Sequence, residues 1–406
     1  MRSISCKQIA DEIFAQCLAG QPPRTLPHGL LEAPCAPALF GTIVEGLADR
    51  FEKAFCDIYV RLFAGALASL NVKWDGAAWD EVSLVARYER VRRPRPISGR
   101  PQRIFVLSRV TLGADVAVTS VLLAAAQRRF PSAEVVFCGP AKNYELFAGA
   151  PHIHHAPLEY RRGSLAERIE AGRELNALVE GSPHSIVIDP DSRLTQLGML
   201  PVCAEENYYF FESRAFGGAT DGSLPELAAE WAHEIIGGPA AKPFVALGQR
   251  VRKRVGISVS LGVGDNPAKR LPDPFEAELL KLLGETGMPL TVDTGEGGEE
   301  RERALRAIAA SGAPAATWEG SFAGFAKTIA TSDLYVGYDS AGQHVAAACG
   351  APLISIFAGF PCDRMFARWR PHGPRCHVIR VDEPNVEGIL ERVRQALGGA
   401  VAAAAE

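Results

Sequence analysis

Residues 333–352 read DLYVGYDSAGQHVAAACGAP, and the fold turns on how this stretch divides. Its start, Asp333 to Val336, is short, apolar and β-prone, as a buried strand requires. Its end, HVAAACG, is small and helical, and Gly350 with Pro352 stops it. Asp339, Ser340, Ala341, Gly342 and His344 therefore sit where a strand hands over to a helix. In an open α/β sheet that is where ligands bind, because backbone N–H groups and the helix dipole point out of the sheet there.

The same strand–helix rhythm runs on both sides of this stretch. From Gln102, RIFVLS is a strand, DVAVTSVLLAAAQRRF a helix, AEVVFCG a strand, SLAERIEAGRELNALVE a helix and HSIVIDP a strand, before the helix SLPELAAEWAHEIIGG. After the basic run QRVRKR the pattern restarts with VGISVSL, PFEAELLKLLGE, MPLTVD, EERERALRAIAA and FAGFAKTIA, and PLISIFAG follows the opening stretch. Alternation of this kind builds parallel sheets covered on both faces. Two doubly wound α/β domains are expected, over 102–245 and 246–406, facing across a crevice. Upstream, residues 1–95 read as a helical extension, with apolar residues at helical spacing for many turns over 38–70. RRPRPISGRPQR then reads as a solvated linker to about 102. The stretch VEGILERVRQAL near the C-terminus is expected to be a helix that returns towards the first domain.

Composition narrows the function classes. A hydrophobic fraction of 47% and a net charge of −4 suit a globular protein and give no global reason for nucleic-acid binding. The nine Cys are scattered without a CxxC pair, which suits a reducing compartment better than a disulfide framework. Neither a signal peptide nor a membrane span is legible, so the expected location is the cytoplasm, with at most peripheral membrane contact.

Three further clusters could carry chemistry. In SRVTLGAD, Gly113 permits close backbone approach, and Asp115 is either a helix-start acid or a general base. In SLGVGDNPAKRLP, Gly262 and Gly264 can present N–H groups to an anion while Lys269 adds a positive charge; the alternative is an ordinary Gly/Pro loop. In TVDTGEGGEERERA, Glu299 and Glu300 could hold ribose hydroxyls or simply open a helix. Asp189-Pro190-Asp191 and the histidines of HIHHA have the residue types of a metal site but no second ligand cluster, so no metal is expected.

The order of these pieces, from about Arg103 to Asp382, resembles glycosyltransferase family 9, the ADP-heptose-dependent heptosyltransferases of bacterial surface polysaccharides. DSAGQHVAAACGAP is similar to that family's D-[ST]-G-x-x-H-x-A-A…G-x-P motif, SRVTLGADVAVTS to its R-x-x-x-x-G-D-x-x-x-T, and AKRLP to its K-x-[WL]-P. The resemblance implies a GT-B fold and inverting, metal-independent transfer of a sugar from a nucleoside diphosphate sugar to an acceptor, with no cofactor. It makes Asp115 the base and Lys269 the pyrophosphate ligand. Asp339 would meet the donor sugar, Ser340, Gly342 and His344 the phosphate end, and Glu299 the ribose. Two departures stand out: Gly-Asp has become Gly113-Ala114-Asp115, and a glycine has become Ala341. The competing readings are a GT-B-fold nucleotide-sugar epimerase or hydrolase, and a non-catalytic binding protein on the same fold.

Overall fold

The computed structural model describes residues 5–70, 73–74, 77–248, 255–264, 266–295 and 297–405; the basic run at 249–254 lies outside them. The chain forms two compact units. The first comprises Met1–Thr111, Leu122–Ala141 and His152–Ala241, and the second Leu112–Val121, Lys142–Pro151 and Lys242–Glu406.

In the first unit the helices α1 (Cys6–Leu18), α2 (Lys53–Ser69) and α3 (Glu81–Val91) precede the sheet. The strands are β1 (Arg103–Leu107), β2 (Glu134–Gly139), β3 (Ile153–Pro157), β4 (Ser185–Asp189) and β5 (Tyr208–Phe210). All pair in parallel, in the order β3-β2-β1-β4-β5. Helices α4 (Ser120–Arg129), α5 (Leu165–Glu180) and α6 (Leu224–Ile235) alternate with them along the chain. The short β3 and β5 were not legible because His154 and His155 interrupt the first and the second is only three residues long.

The helical extension shares one core with this sheet: Leu39, Ile43, Tyr59, Phe63 and Leu67 are buried together with Phe105, Val136 and Val187. Its apolar stripe on α2 (Cys56, Tyr59, Val60, Phe63, Leu67) has the i, i+3, i+4 spacing that a helix must bury. The stretch 38–70 is helical for many turns, as expected, in three successive segments. A π-helix spans Ala38–Val44 and a helical turn Glu45–Ala48, and Phe51 then takes φ 54° before α2 begins.

Two expectations are corrected here. The Pro-rich segment is exposed at Arg93, Pro94, Pro96 and 98–100 but is anchored rather than free: Arg92 donates to Asp57 at 2.7 Å and Glu212 at 2.8 Å, Arg95 donates to the Tyr208 carbonyl at 3.0 Å, and the Ile97 N–H donates to the Ile235 carbonyl at 2.8 Å. Proline prevents a helix, and the arginines then bind the segment down. The cysteines are not all reduced either, since Cys6 and Cys35 form a disulfide that ties α1 to the turn at Ala33–Cys35.

The second unit holds β6 (Ile257–Ser260), α7 (Phe275–Gly284), β7 (Leu290–Asp293), α8 (Gly298–Ser311), β8 (Ala315–Trp318) and α9 (Phe322–Thr331). These lead to β9 (Leu334–Tyr338), α10 (Ala341–Cys349), β10 (Leu353–Phe357), α11 (Asp363–Trp369), β11 (Cys376–Arg380) and α12 (Val386–Ala405). The parallel order is β8-β7-β6-β9-β10-β11. This is the order in which a dinucleotide-binding sheet is wound, and it reverses direction between β6 and β9. Helix α12 forms as expected, and its Ile389, Val393 and Leu397 enter the second unit's own core beside α7 and β11.

Candidate active site

The opening stretch divides as its sequence predicts, into β9, the turn Asp339–Ser340 and α10. This turn and the loop after β6 leave the two strands flanking the point where the sheet order reverses, where an α/β sheet binds ligands. The two loops meet. Lys269 Nζ lies 2.6 Å from Asp339 Oδ2 and donates to the Asp339 carbonyl at 3.1 Å. Lys269 ends a single 3-10 turn, Pro267–Lys269, capped by the Asn266 side chain. Gly359 packs so closely on this turn that a Cβ there would stand 2.8 Å from the Lys269 nitrogen.

Asp339 and His344 are both buried. Burial holds the imidazole neutral, lowering its pKa to about 4; the nearby Asp339 charge opposes this and Lys269 adds to it. His344 also packs edge-on to Trp369. Ser340 is the N-cap residue of α10, and Ala341 is its first residue. Gly342 is required sterically, because a Cβ would fall into the Tyr335 hydroxyl and ring.

Gly262 and Gly264 shape the loop after β6, and Gly264 takes φ 60°. An anion already lies against that loop. Glu300, on α8, accepts from the Val263 N–H at 2.9 Å and the Gly264 N–H at 3.1 Å, with Arg270 at 3.3 Å. Glu299 points to solvent with its side chain 83% exposed, 3.8 Å from Arg270. The structure thus brings Glu300, rather than Glu299, to the Gly262–Gly264 loop.

The segment carrying Asp115 belongs to this same unit. Gly113 lies against α10: a Cβ there would stand 3.1 Å from His344 and 3.2 Å from the Ala341 Cα. The extra Ala114 is absorbed locally. A helical turn over Leu112–Ala114 continues into a π-helix over Asp115–Thr119, and the Ser120 N–H bonds the Asp115 carbonyl five residues back. A π-turn takes up one residue without ending the helix, and such turns gather at functional sites. Asp115 itself is fully buried, accepting from Thr119 Oγ1 at 2.7 Å and Asn143 Nδ2 at 2.6 Å.

The carboxylates of the first sheet are occupied. Asp189 accepts from the Ser192 N–H at 2.6 Å and from the Thr195 and Tyr208 hydroxyls at 2.5 Å, and burial pushes its pKa up to about 6. Asp191 pairs with Arg214 at 2.8 Å and accepts from Ser213. Among the described residues no group of three or more His, Cys, Asp or Glu side chains is placed to hold a metal ion. No helix there is long and apolar enough to cross a membrane. Sequence reasoning missed Thr119, Asn143, Gln343 and Ser355. Only Ser355, a hydroxyl inside the apolar run LISIF, carried a signal.

Two Rossmann-like parallel domains, the second with a paired lysine and carboxylate at its switch point, are the architecture of the GT-B fold. Residues 215–390 match the family model described as glycosyltransferase family 9 (heptosyltransferase). Among solved structures the chain is similar to the E. coli heptosyltransferase WaaC with ADP, at 17% identity and TM-score 0.54, over 72% of this chain and 99% of that one. It is similar to E. coli ADP-heptose lps heptosyltransferase II at 18% identity and TM-score 0.54, over 75% and 100%. A family 9 glycosyltransferase from Veillonella parvula DSM 2008 aligns at 15% identity and TM-score 0.55, over 75% and 99%. Among curated proteins none matches the chain.

Proposed function

We propose that this protein transfers a sugar from a nucleoside diphosphate sugar to an acceptor hydroxyl, with inversion and without a metal ion. The observation that carries the reading is the packing of Gly113, two residues before Asp115, onto the N-terminal turn of α10, while Lys269 lies at Asp339 just ahead of that turn. One unit thus holds both a carboxylate suited to take a proton and a cation with a helix N-terminus suited to a departing diphosphate. In the reaction Asp115 removes the acceptor proton, the acceptor oxygen bonds the anomeric carbon, and the bond from that carbon to the diphosphate oxygen breaks. Lys269 and the α10 N-terminus stabilise the charge left on the diphosphate, work that a metal does in other transferases. Glu300, already an acceptor at the Gly262–Gly264 loop, is placed to accept from ribose hydroxyls.

The similar solved structures are a heptosyltransferase with ADP and an ADP-heptose lps heptosyltransferase, which makes an adenosine diphosphate heptose the first donor to try, ahead of other nucleotide sugars. The test is a donor and acceptor panel read by mass spectrometry, with Asp115→Asn beside the wild type. Loss of a general base costs about 10²–10⁴-fold in rate, so the variant should keep donor binding and lose turnover. Near-wild-type turnover would leave Asp115 as a helix-start acid held by Thr119 and Asn143. Sugar isomerisation or nucleotide release that needs no acceptor would point to the epimerase or hydrolase reading. Binding without any turnover would point to a scaffold.

A further inference from the structure

We infer that Gln343 is a positioning residue that anchors Asp339 and so sets how readily Lys269 turns to a donor phosphate. The inference rests on the donor-binding reading above. Gln343 is fully buried one turn into α10, and its amide can be assigned from its partners. Ser355 Oγ, on β10, donates to Gln343 Oε1 at 2.5 Å. The orientation is fixed by Asp339, since a carboxylate oxygen paired with Lys269 can only accept and so requires Nε2 to face it, leaving Oε1 to accept from Ser355. Nε2 donates to Asp339 Oδ1 and lies 3.3 Å from His344 Nε2 and 3.4 Å from the Trp369 carbonyl. Asp339 is therefore held at both oxygens, Oδ1 by a neutral amide and Oδ2 by Lys269 at 2.6 Å.

The chain Ser355–Gln343–Asp339–Lys269 has a chemical consequence. A phosphate that draws Lys269 competes with Asp339 for the ammonium. With Oδ1 tied to Gln343, the carboxylate offers Lys269 one oxygen and cannot follow it. With the amide removed, the buried Oδ1 loses its donor, and an unsatisfied carboxylate oxygen is costly. The carboxylate then rotates to take the ammonium with both oxygens, and the phosphate loses the competition. A glutamine at this place is thus a device for moderating an ion pair rather than a ligand of the donor.

The test uses the full chain, with ADP and pyrophosphate as probes in calorimetric titrations between pH 6 and 8.5, and thermal unfolding to confirm folding. Q343L should weaken both probes about ten-fold, and S355A should weaken them less, in the same direction. Q343E provides the discriminating readout. Its carboxylate beside Asp339 has a raised pKa through like-charge repulsion, and once protonated it donates to Asp339 as the amide does. Probe affinity of Q343E relative to wild type should therefore be low at pH 8.5 and recover towards pH 6; the ratio cancels the titration of the probes' own phosphates, and His344 remains neutral across that range. A purely structural role would give no such recovery. Wild-type affinity in Q343L, or a Q343E deficit independent of pH, overturns the inference. If the wild type binds neither probe, the donor reading fails by itself, and a crystal structure of Q343L then decides. Asp339 turned onto Lys269 supports the positioning role, and Asp339 unmoved sinks it. Should Q343L not fold, Q343E and S355A give the same decision.

Discussion

Lys269 and Asp339, 70 residues apart in sequence, meet at 2.6 Å, so the cation best placed for a ligand phosphate has its charge matched within the chain. Removing the cation exposes both of its roles. Lys269→Ala should weaken nucleotide binding by about 10-fold or more, the worth of a charge-assisted hydrogen bond. It should also destabilise the fold by about 1–3 kcal/mol, because the buried Asp339 keeps Gln343 but loses its charged partner. Calorimetric titration with ADP and urea unfolding measure the two effects. Unchanged nucleotide affinity would remove Lys269 from the donor site.

The buried imidazole of His344 gives a pH dependence with a definite sign. Its folded pKa, about 4, lies below the ordinary value of 6.5, so the unfolded chain binds the extra proton first. Stability from this group is therefore fully present above about pH 6.5 and falls as pH drops towards 4, by about 3 kcal/mol across the window. His344→Gln should lack that component. The difference between the two unfolding curves, measured from pH 4 to 8, isolates it from the buried carboxylates, and a flat difference would contradict the neutral buried imidazole.

Gly342→Ala should test the packing under α10. The added methyl meets the Tyr335 hydroxyl and ring, so the helix start or the tyrosine must shift. Overpacking of this kind costs about 1–3 kcal/mol. Tyr335→Phe, which deletes the hydroxyl, should recover part of the loss in the double variant. Additive single effects in a thermal-unfolding cycle would show that the two residues do not collide.

The extension is fastened to the first sheet by Arg92, whose side chain is only 7% exposed and contacts Asp57, Glu89 and Glu212. Arg92→Ala leaves the buried Glu212 with the Tyr88 hydroxyl as its remaining partner among these contacts. Burial already pushes the Glu212 pKa up to about 7, Arg92 opposing the rise, so losing Arg92 should raise it further. Removing one partner of a buried pair costs about 3–5 kcal/mol. Limited proteolysis should then cut the first hundred residues more readily than in the wild type.

Both sheets were legible because β1, β2, β4, β6 and β9 are apolar runs alternating with helices of 3.6 periodicity, and the turns after them carry Gly and Asp. The strands that escaped, β3, β5, β8 and β11, are short or half polar, as with CHVIR and AATW. Asp115, Asp339 and His344 stood out through position, a turn after a strand. Gln343 did not, because an amide inside a helix reads as a solvated residue until its burial is known. The choice between Glu299 and Glu300 needed the phase of α8, which neighbouring acids in sequence do not reveal. Arg92 and Arg95 were misread for a related reason: charge next to proline looks solvated, and only the facing Asp57, Glu212 and Tyr208 carbonyl show otherwise.

The grouping of Leu112–Val121 and Lys142–Pro151 with the second unit has a consequence for recombining chains of this fold. An exchange of donor specificity that grafts a foreign C-terminal half at about residue 242 would part Asp115 and Asn143 from the α10 against which their segment grew. The incoming helix would meet a Gly113 turn shaped for Ala341 and His344. A chimera that moves residues 112–121 and 142–151 along with the C-terminal half keeps that surface matched. The heritable module of this protein is thus an interleaved set of three segments, and a single crossover point cannot carry it whole.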